Sequence, residues 1–251
     1  MLPPLEGVIA RRVLINFRAD PQVVRALVPA PFEVVTQEGA AVVGVCLIRL
    51  AQLRPKGLAG FVGIASDSMA HRVAVRCPTP EGFREGVFVW QRHSDTALLT
   101  LLGGRLFPGV HHRARFHSVE GESGLRVEAF TGQSRSDVSV SARRVPEWRP
   151  TPLFPTLEAA RAFFARGDRG VSCSPGQRRL EAAPPGTLEW SPSPLAVSHV
   201  RVAFFEDRQR FPGGSIAFDG AVLMHAVPHG WHDLSVVPEL TLAEAVSAAP
   251  R

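Results

Sequence analysis

The chain has 251 residues, 45% of them hydrophobic and 20% charged, which fits one large or two small globular domains with a core that needs no staples. Its formal charge is +5, but the arginines are scattered and tyrosine is absent, so no basic groove interleaved with aromatics is laid out for nucleic acid. No apolar run approaches the ~18 residues of a membrane span, and the N-terminal segment carries prolines and Glu6 where a signal peptide needs basic and then apolar residues; together these predict a cytoplasmic protein with no membrane or nucleic-acid partner.

Residues 8–17 read as a strand around Arg11 and Arg12. Asp20 as N-cap and Pro21 at the first helical position then start a helix with Val23, Val24 and Leu27 on one face, stopped by Pro29 and Pro31. The nearly all-apolar stretch 40–50 predicts a strand buried on both faces. Residues 71–76 and 86–90 flank a Pro-Gly turn and predict a hairpin. Asp95 caps a short leucine-rich helix ending at Gly103 and Gly104. Strands follow at 110–119, 125–130 and 137–143, the first two joined by a turn over 120–124. Thr156 with Glu158 opens the clearest helix, 156–166, ended by Gly167. Strands at 187–190, 195–205 and 216–227 complete the pattern, before an Ala-rich tail over 241–251. Many short strands at near-regular spacing with a few helices predict a mainly β, α+β domain over 1–240, built as a barrel or as stacked antiparallel sheets with peripheral helices.

Cys46, Cys77 and Cys173 form no CxxC pair and no metal-finger spacing, and Cys46 and Cys77, inside apolar runs, read as small buried hydrophobes. Nine histidines are present, but none lies in HxH or HExxH spacing, so His71, His93, His111 and His112 are not expected to collect a metal. In the run from His225 through His229 to His232, Pro228 forbids the helix that would align a ligand pair. Neither a cofactor nor a resident metal is expected.

Two stretches resemble a known family. The run Ile15-Asn16-Phe17-Arg18-Ala19-Asp20-Pro21, continuing to Leu27-Val28-Pro29-Ala30-Pro31-Phe32-Glu33, is similar to the opening of acetoacetate decarboxylases. The segment Gly103-Gly104-Arg105-Leu106-Phe107-Pro108-Gly109-Val110-His111-His112 is similar to the one that leads, in those enzymes, into two adjacent lysines. Laid over it without gaps, His111 takes the place of the Schiff-base lysine and His112 that of the lysine that perturbs it. The turn Leu53-Arg54-Pro55-Lys56-Gly57 and the strand Ala70-His71-Arg72 resemble the uncharacterised YqjF-like branch of the same superfamily. The resemblance implies the decarboxylase-like barrel and homo-oligomers.

It also puts the named chemistry in doubt. An amine with lowered pKa forms an iminium with a keto acid, which imidazole cannot match, and the one lysine, Lys56, sits in a Pro-Gly turn. Schiff-base decarboxylation is therefore disfavoured. What remains is acid–base chemistry near neutral pH. Adjacent strand residues face opposite ways, and the overlay turns His111 inward. Asp67 falls near the family's active-site glutamate and is expected to orient an imidazole or shuttle a proton. Arg11 or Arg12 falls near the family's substrate arginine and is expected to clamp a carboxylate, with His71 and Arg72 beside it. The expected function is a lyase or isomerase of small keto or hydroxy carboxylates. The alternative is a non-catalytic pocket for a small acidic or apolar metabolite, serving as sensor or carrier.

Overall fold

A computed structural model describes residues 5–55, 57, 63–79, 82–97, 100, 111–133, 135–167, 171–172, 181–182 and 191–231. Its frame is a 12-stranded sheet. The long strands are β1 (Leu5–Ala19), β4 (Ala40–Pro55), β5 (Ile64–Thr79), β6 (Gly82–Ser94) and β14 (Ile216–Trp231). Shorter ones are β2 (Glu33–Val34), β3 (Thr36–Gln37), β7 (His111–Arg113), β8 (Arg115–Glu120), β9 (Gly124–Phe130), β10 (Val138–Arg144) and β13 (Ser193–Val202). A separate ribbon pairs β11 (Val171–Ser172) with β12 (Glu181–Ala182).

The order β7-β6-β5-β4-β1-β14-β13-β10-β9-β8 begins and ends on strands separated in the chain only by Ala114. The two ends of the sheet are thus consecutive chain, and the sheet curls into a nearly closed barrel, the mainly β architecture expected from the sequence. Closure removes most of the exposed edge that an open sheet would offer. A two-residue loop, Glu38-Gly39, joins β3 to β4 with φ of 49° and 77°, the left-handed pair that matches strand twist in tight hairpins.

Alternation along each strand sorts side chains to two faces. Val13, Ile15, Val43, Val45, Leu47, Val73, Val127, Val140 and Leu223 fill the interior. Leu14, Val42, Cys46, Ala74, Val222 and Met224 face outward, where the helix Leu157–Arg166 covers them with Ala160, Phe163 and Phe164. That helix is capped as expected, Thr156 accepting from the Ala159 N–H, and Asp20 likewise caps the helix Pro21–Ala26 by accepting from the Gln22 N–H. Among the described residues no helix is long and apolar enough to cross a membrane.

Three expectations change. The strand expected over 71–76 begins at Ile64, so polar Ser66, Asp67 and Ser68 lie within it. The strand expected over 110–119 is divided at Ala114. The strand expected to reach 205 stops at Val202 and turns into the short helix Ala203–Glu206, which carries Phe204 and Phe205. The strand expected over 187–190, most of the helix expected after Asp95, the tail, Lys56, Cys173, His232 and residues 101–110 of the resemblance lie outside the described residues.

Candidate functional site

Ladder register arranges the inner face into rows. One row runs His225, Arg11, Arg49 and Asp67 across β14, β1, β4 and β5. The next runs Val13, Leu47, Met69, His93 and His112 across β1, β4, β5, β6 and β7. The third holds Ile15, Val45, His71 and Gln91. Successive rows on one face stand about 7 Å apart in extended chain, so an ionic row and an imidazole row are neighbours.

The ionic row is tied by short contacts. Arg11, 2% exposed, donates through Nη2 to Asp67 Oδ1 at 3.0 Å and to Ser118 Oγ at 3.2 Å. Arg49 donates through Nη1 to Asp67 Oδ2 at 2.7 Å. Glu120 arrives from β8, its Oε2 lying 3.6 Å from Arg11 Nη1 and its Oε1 accepting from Arg144 Nη2 at 2.8 Å. The series Arg49, Asp67, Arg11, Glu120, Arg144 alternates in sign and crosses from one wall of the barrel to the other. His225 joins it. Its Nδ1 lies 3.1 Å from the Ala10 carbonyl and its Nε2 lies 2.8 Å from Arg144 Nη2. A carbonyl only accepts, so Nδ1 carries a hydrogen toward Ala10, while Nε2 faces both Arg144 Nη2 and, at 3.3 Å, Glu120 Oε1. Burial raises the Asp67 carboxyl above its ordinary value against the pull of Arg11 and Arg49, and burial lowers Arg11 against the pull of Asp67 and Glu120.

Asp67 is further fixed from below. Its N–H donates to Asp95 Oδ1 at 3.1 Å, and the same oxygen accepts from Ser66 Oγ at 2.9 Å. Ser66 Oγ also lies 2.7 Å from Thr96 Oγ1 and 3.0 Å from Ser94 Oγ.

His93 in the second row and His71 in the third are buried, whereas His112 is exposed. His71 packs against Phe204 with ring centroids 5.0 Å apart, and its Nδ1 lies 3.1 Å from Gln91 Nε2. With the amide donating, the ring hydrogen is on Nε2. Burial, with His93 next, lowers His71 to about 3. His93 stands between His71 and His112, at centroid distances of 6.4 and 5.7 Å. Burial and then His112 lower it to about 4, against the pull of Asp137. Both rings are neutral at pH 7. His93 is 6% exposed, and its Nδ1 has no hydrogen-bond partner among the described residues.

Strand alternation separates the residues that the sequence grouped. His112 pairs with His93 and shares its face with Ala114, whereas His111 pairs with Arg92 on the other face. The inward ring is thus His112, and the expectation that His111 faces the interior is corrected by the parallel β6–β7 register. Asp67 accepts from two guanidiniums rather than orienting an imidazole. Arg11 and His71 face inward, while Arg12 and Arg72 face outward, because neighbouring strand residues cannot share a face. Arg72 crosses above Gly44 to donate to Asn16 Oδ1 at 2.7 Å and stacks 5.1 Å from the Phe164 ring centroid. Burial lowers it to about 10, so it stays cationic. Among the described residues no three His, Cys, Asp or Glu side chains are grouped to hold a metal ion. Glu120, Ser118, Arg144 and Gln91 were not singled out from the sequence as site groups, and His225 was weighed there only as a metal ligand. Only β-strand alternation counted onward from His112 would have put Ser118 and Glu120 on its face.

A model of the DUF2071 family, described as an uncharacterized conserved protein (COG2071), matches residues 9–176. The chain belongs to that family. No curated protein matches this DUF2071 chain. Its fold is similar to that of acetoacetate decarboxylase from Legionella pneumophila, with a TM-score of 0.57 at 16% identity over 95% of this chain and 89% of that one. It is similar also to the enduracididine biosynthesis enzyme MppR complexed with pyruvate, with a TM-score of 0.53 at 13% identity over 92% and 90% of the two chains. A further acetoacetate decarboxylase structure aligns with a TM-score of 0.53 at 11% identity over 92% and 89%. These likenesses carry the fold. The DUF2071 chain thus shares the acetoacetate decarboxylase fold, the architecture its resemblance implied.

Proposed function

We propose that this DUF2071 protein, as one cytoplasmic domain over residues 1–240, holds a small keto or hydroxy carboxylate inside the barrel and moves a proton on it in lyase or isomerase fashion. The observation that carries this reading is the adjacency of the two inner rows. A row of arginines that can meet a carboxylate stands one step from imidazoles that can meet a carbonyl or hydroxyl.

His112 is the proton-handling ring in this reading. It is exposed and inward-facing, whereas His71 is buried among phenylalanines. A proton taken from carbon beside a carbonyl would rest on the imidazole and return to the product, a role that suits imidazole near neutral pH. Arg49, whose side chain is 45% exposed, is the guanidinium most open to a ligand. Pyruvate, named with MppR, is a 2-oxo acid of the size proposed. Homo-oligomers belong to the same reading by resemblance.

One observation favours the second reading, a non-catalytic binding protein. Both Asp67 oxygens are already occupied by Arg11 and Arg49, which leaves Asp67 no free oxygen to act as base.

The test is turnover of small 2-oxo and 3-oxo acids by wild type, His112→Ala and His111→Ala. The catalytic reading expects loss of turnover, on the order of 100-fold or more, in His112→Ala with His111→Ala near wild type. Binding without turnover in any variant gives the carrier. Borohydride trapping of a covalent adduct with acetoacetate would instead restore iminium chemistry.

A further inference from the structure

Glu120 reaches Arg11 from across the barrel. Its strand β8 is the last in the sheet order, while β1 lies near the middle, so the contact spans the interior. Arg11 is unevenly used. Nη2 serves Asp67 at 3.0 Å and Ser118 at 3.2 Å. Nε has no hydrogen-bond partner among the described residues. Nη1 faces Glu120 Oε2 at 3.6 Å, beyond hydrogen-bond range.

Glu120 is held more firmly elsewhere. Its Oε1 accepts from Arg144 at 2.8 Å and lies 3.3 Å from His225 Nε2. Its side chain is 26% exposed, whereas that of Arg11 is 2% exposed. A buried guanidinium therefore keeps unspent donors, with a rim carboxylate before it that a neighbouring arginine draws aside. An unspent buried donor costs free energy until something accepts from it. The alternating series sets three guanidiniums against two carboxylates, with Asp95 beneath Asp67 as a third acidic group, and only Glu120 of these stands before Arg11 Nη1.

We propose that Glu120 is the specificity-determining residue of the interior site: it stands where the carboxylate of a small monoanionic oxo acid meets Arg11 Nη1, and that carboxylate displaces it toward Arg144. The proposal rests on the reading of the interior as a carboxylate site. It adds that the protein carries its own competitor. Ligands with one carboxylate can take the place of the one carboxylate of Glu120 before Arg11, and neutral ketones gain nothing from displacing it.

The test is calorimetric binding of pyruvate and acetoacetate, with acetone as the neutral control. The proteins are wild type, Glu120→Gln, Glu120→Asp, Glu122→Gln and Arg11→Gln. Glu120→Gln removes the competing charge and keeps the shape. Glu120→Asp keeps the charge but shortens its reach, and it decides the matter if the first variant fails to fold. Both are expected to bind the two acids more tightly, by about tenfold for Glu120→Gln, with acetone unchanged. Unchanged or weaker binding in both overturns the proposal while leaving the carboxylate site intact. An equal gain in Glu122→Gln, an exposed turn residue that carries the same charge, also overturns it by reducing the effect to net charge. Equal binding of the acids by wild type and Arg11→Gln, or no binding by any protein, removes the interior carboxylate site itself and the proposal with it.

Discussion

Arg11 Nη2 lies 3.0 Å from Asp67 Oδ1, although the strand that carries Arg49 runs between their strands. Arg49 closes the other side of the carboxylate at 2.7 Å. One carboxylate thus holds three adjacent strands at the inner face, and it does so where the charges are mostly out of water. Such a pair adds little net stability against apolar residues of the same volume, but breaking it leaves a buried charge alone.

Asp67→Ala is therefore expected to destabilise the fold by roughly 3–5 kcal/mol. The double variant Arg11→Met, Asp67→Ala should recover a large part of that loss, since no buried guanidinium is left unmatched. Urea denaturation of wild type, both single variants and the double variant measures the coupling. Additive losses would show that the pair is not the buried unit described.

The two buried imidazoles predict acid lability. His71 and His93 titrate at about 3 and about 4 in the folded protein, below the usual value of about 6.5 for an unfolded chain. Between those limits the unfolded state binds more protons, so stability is complete above the unfolded value and falls with falling pH. Each ring contributes a slope of about 1.4 kcal/mol per pH unit. Asp67 and Asp219, whose carboxyls burial raises, act in the opposite sense between their raised values and the usual carboxylate value. Unfolding free energy measured from pH 7 to pH 5 should fall, and His93→Gln should flatten the curve. A flat wild-type curve would contradict burial of these rings.

Gly44 has no room for a methyl group. A Cβ there would lie 2.3 Å from the Ile15 carbonyl oxygen, a backbone atom that cannot swing aside. Gly44→Ala must prise β1 from β4, at a cost of about 3 kcal/mol or more. Thermal unfolding checks this, and a Tm within a degree or two of wild type would contradict the close approach.

Arg72 joins the outer face of the sheet to the covering helix through Asn16 and Phe164. Arg72→Ala removes the stacking, leaves Asn16 without its donor and opens a cavity, for an expected loss of about 2–4 kcal/mol. Arg72→Met keeps the contact with Phe164 and removes a buried charge, so it should cost less. Chemical denaturation of the two variants gives the order. Equal losses would assign the whole effect to charge.

Much of the frame was legible because its signals are local. Alternation and apolar runs marked β1 and β4, and Asp20 and Thr156 announced the two caps. The start of β5 was hidden because Ser66, Asp67 and Ser68 resemble a turn, yet the Ser66 hydroxyl and the Asp67 carboxylate are satisfied by Asp95, Thr96, Arg11 and Arg49. Phe204 and Phe205 read as strand residues, and their packing against Trp90 and Phe211 selects a helical turn instead.

The site was legible in its residue types and only partly in its geometry. Asp67, Arg11, His71 and His112 do share the inner face. Which of the paired histidines turns inward depends on a parallel register with β6, itself shifted by a bulge at Trp90 where His71 pairs with Gln91 but Arg72 with Val89. Neither is encoded near residue 111. Glu120 meets Arg11 only because the sheet curls on itself, bringing the last strand of its order to one near the middle, and Arg144 then holds the same carboxylate.

The most direct test is nuclear magnetic resonance of protein labelled with nitrogen-15 at histidine, titrated with pyruvate and with acetoacetate. A ligand held between the two inner rows must shift the ring signals of His93 and His112 and leave His111 and His117 in place. Shifts at His111 or His117 alone, or none at His93 and His112 on saturation, would contradict an interior carboxylate site.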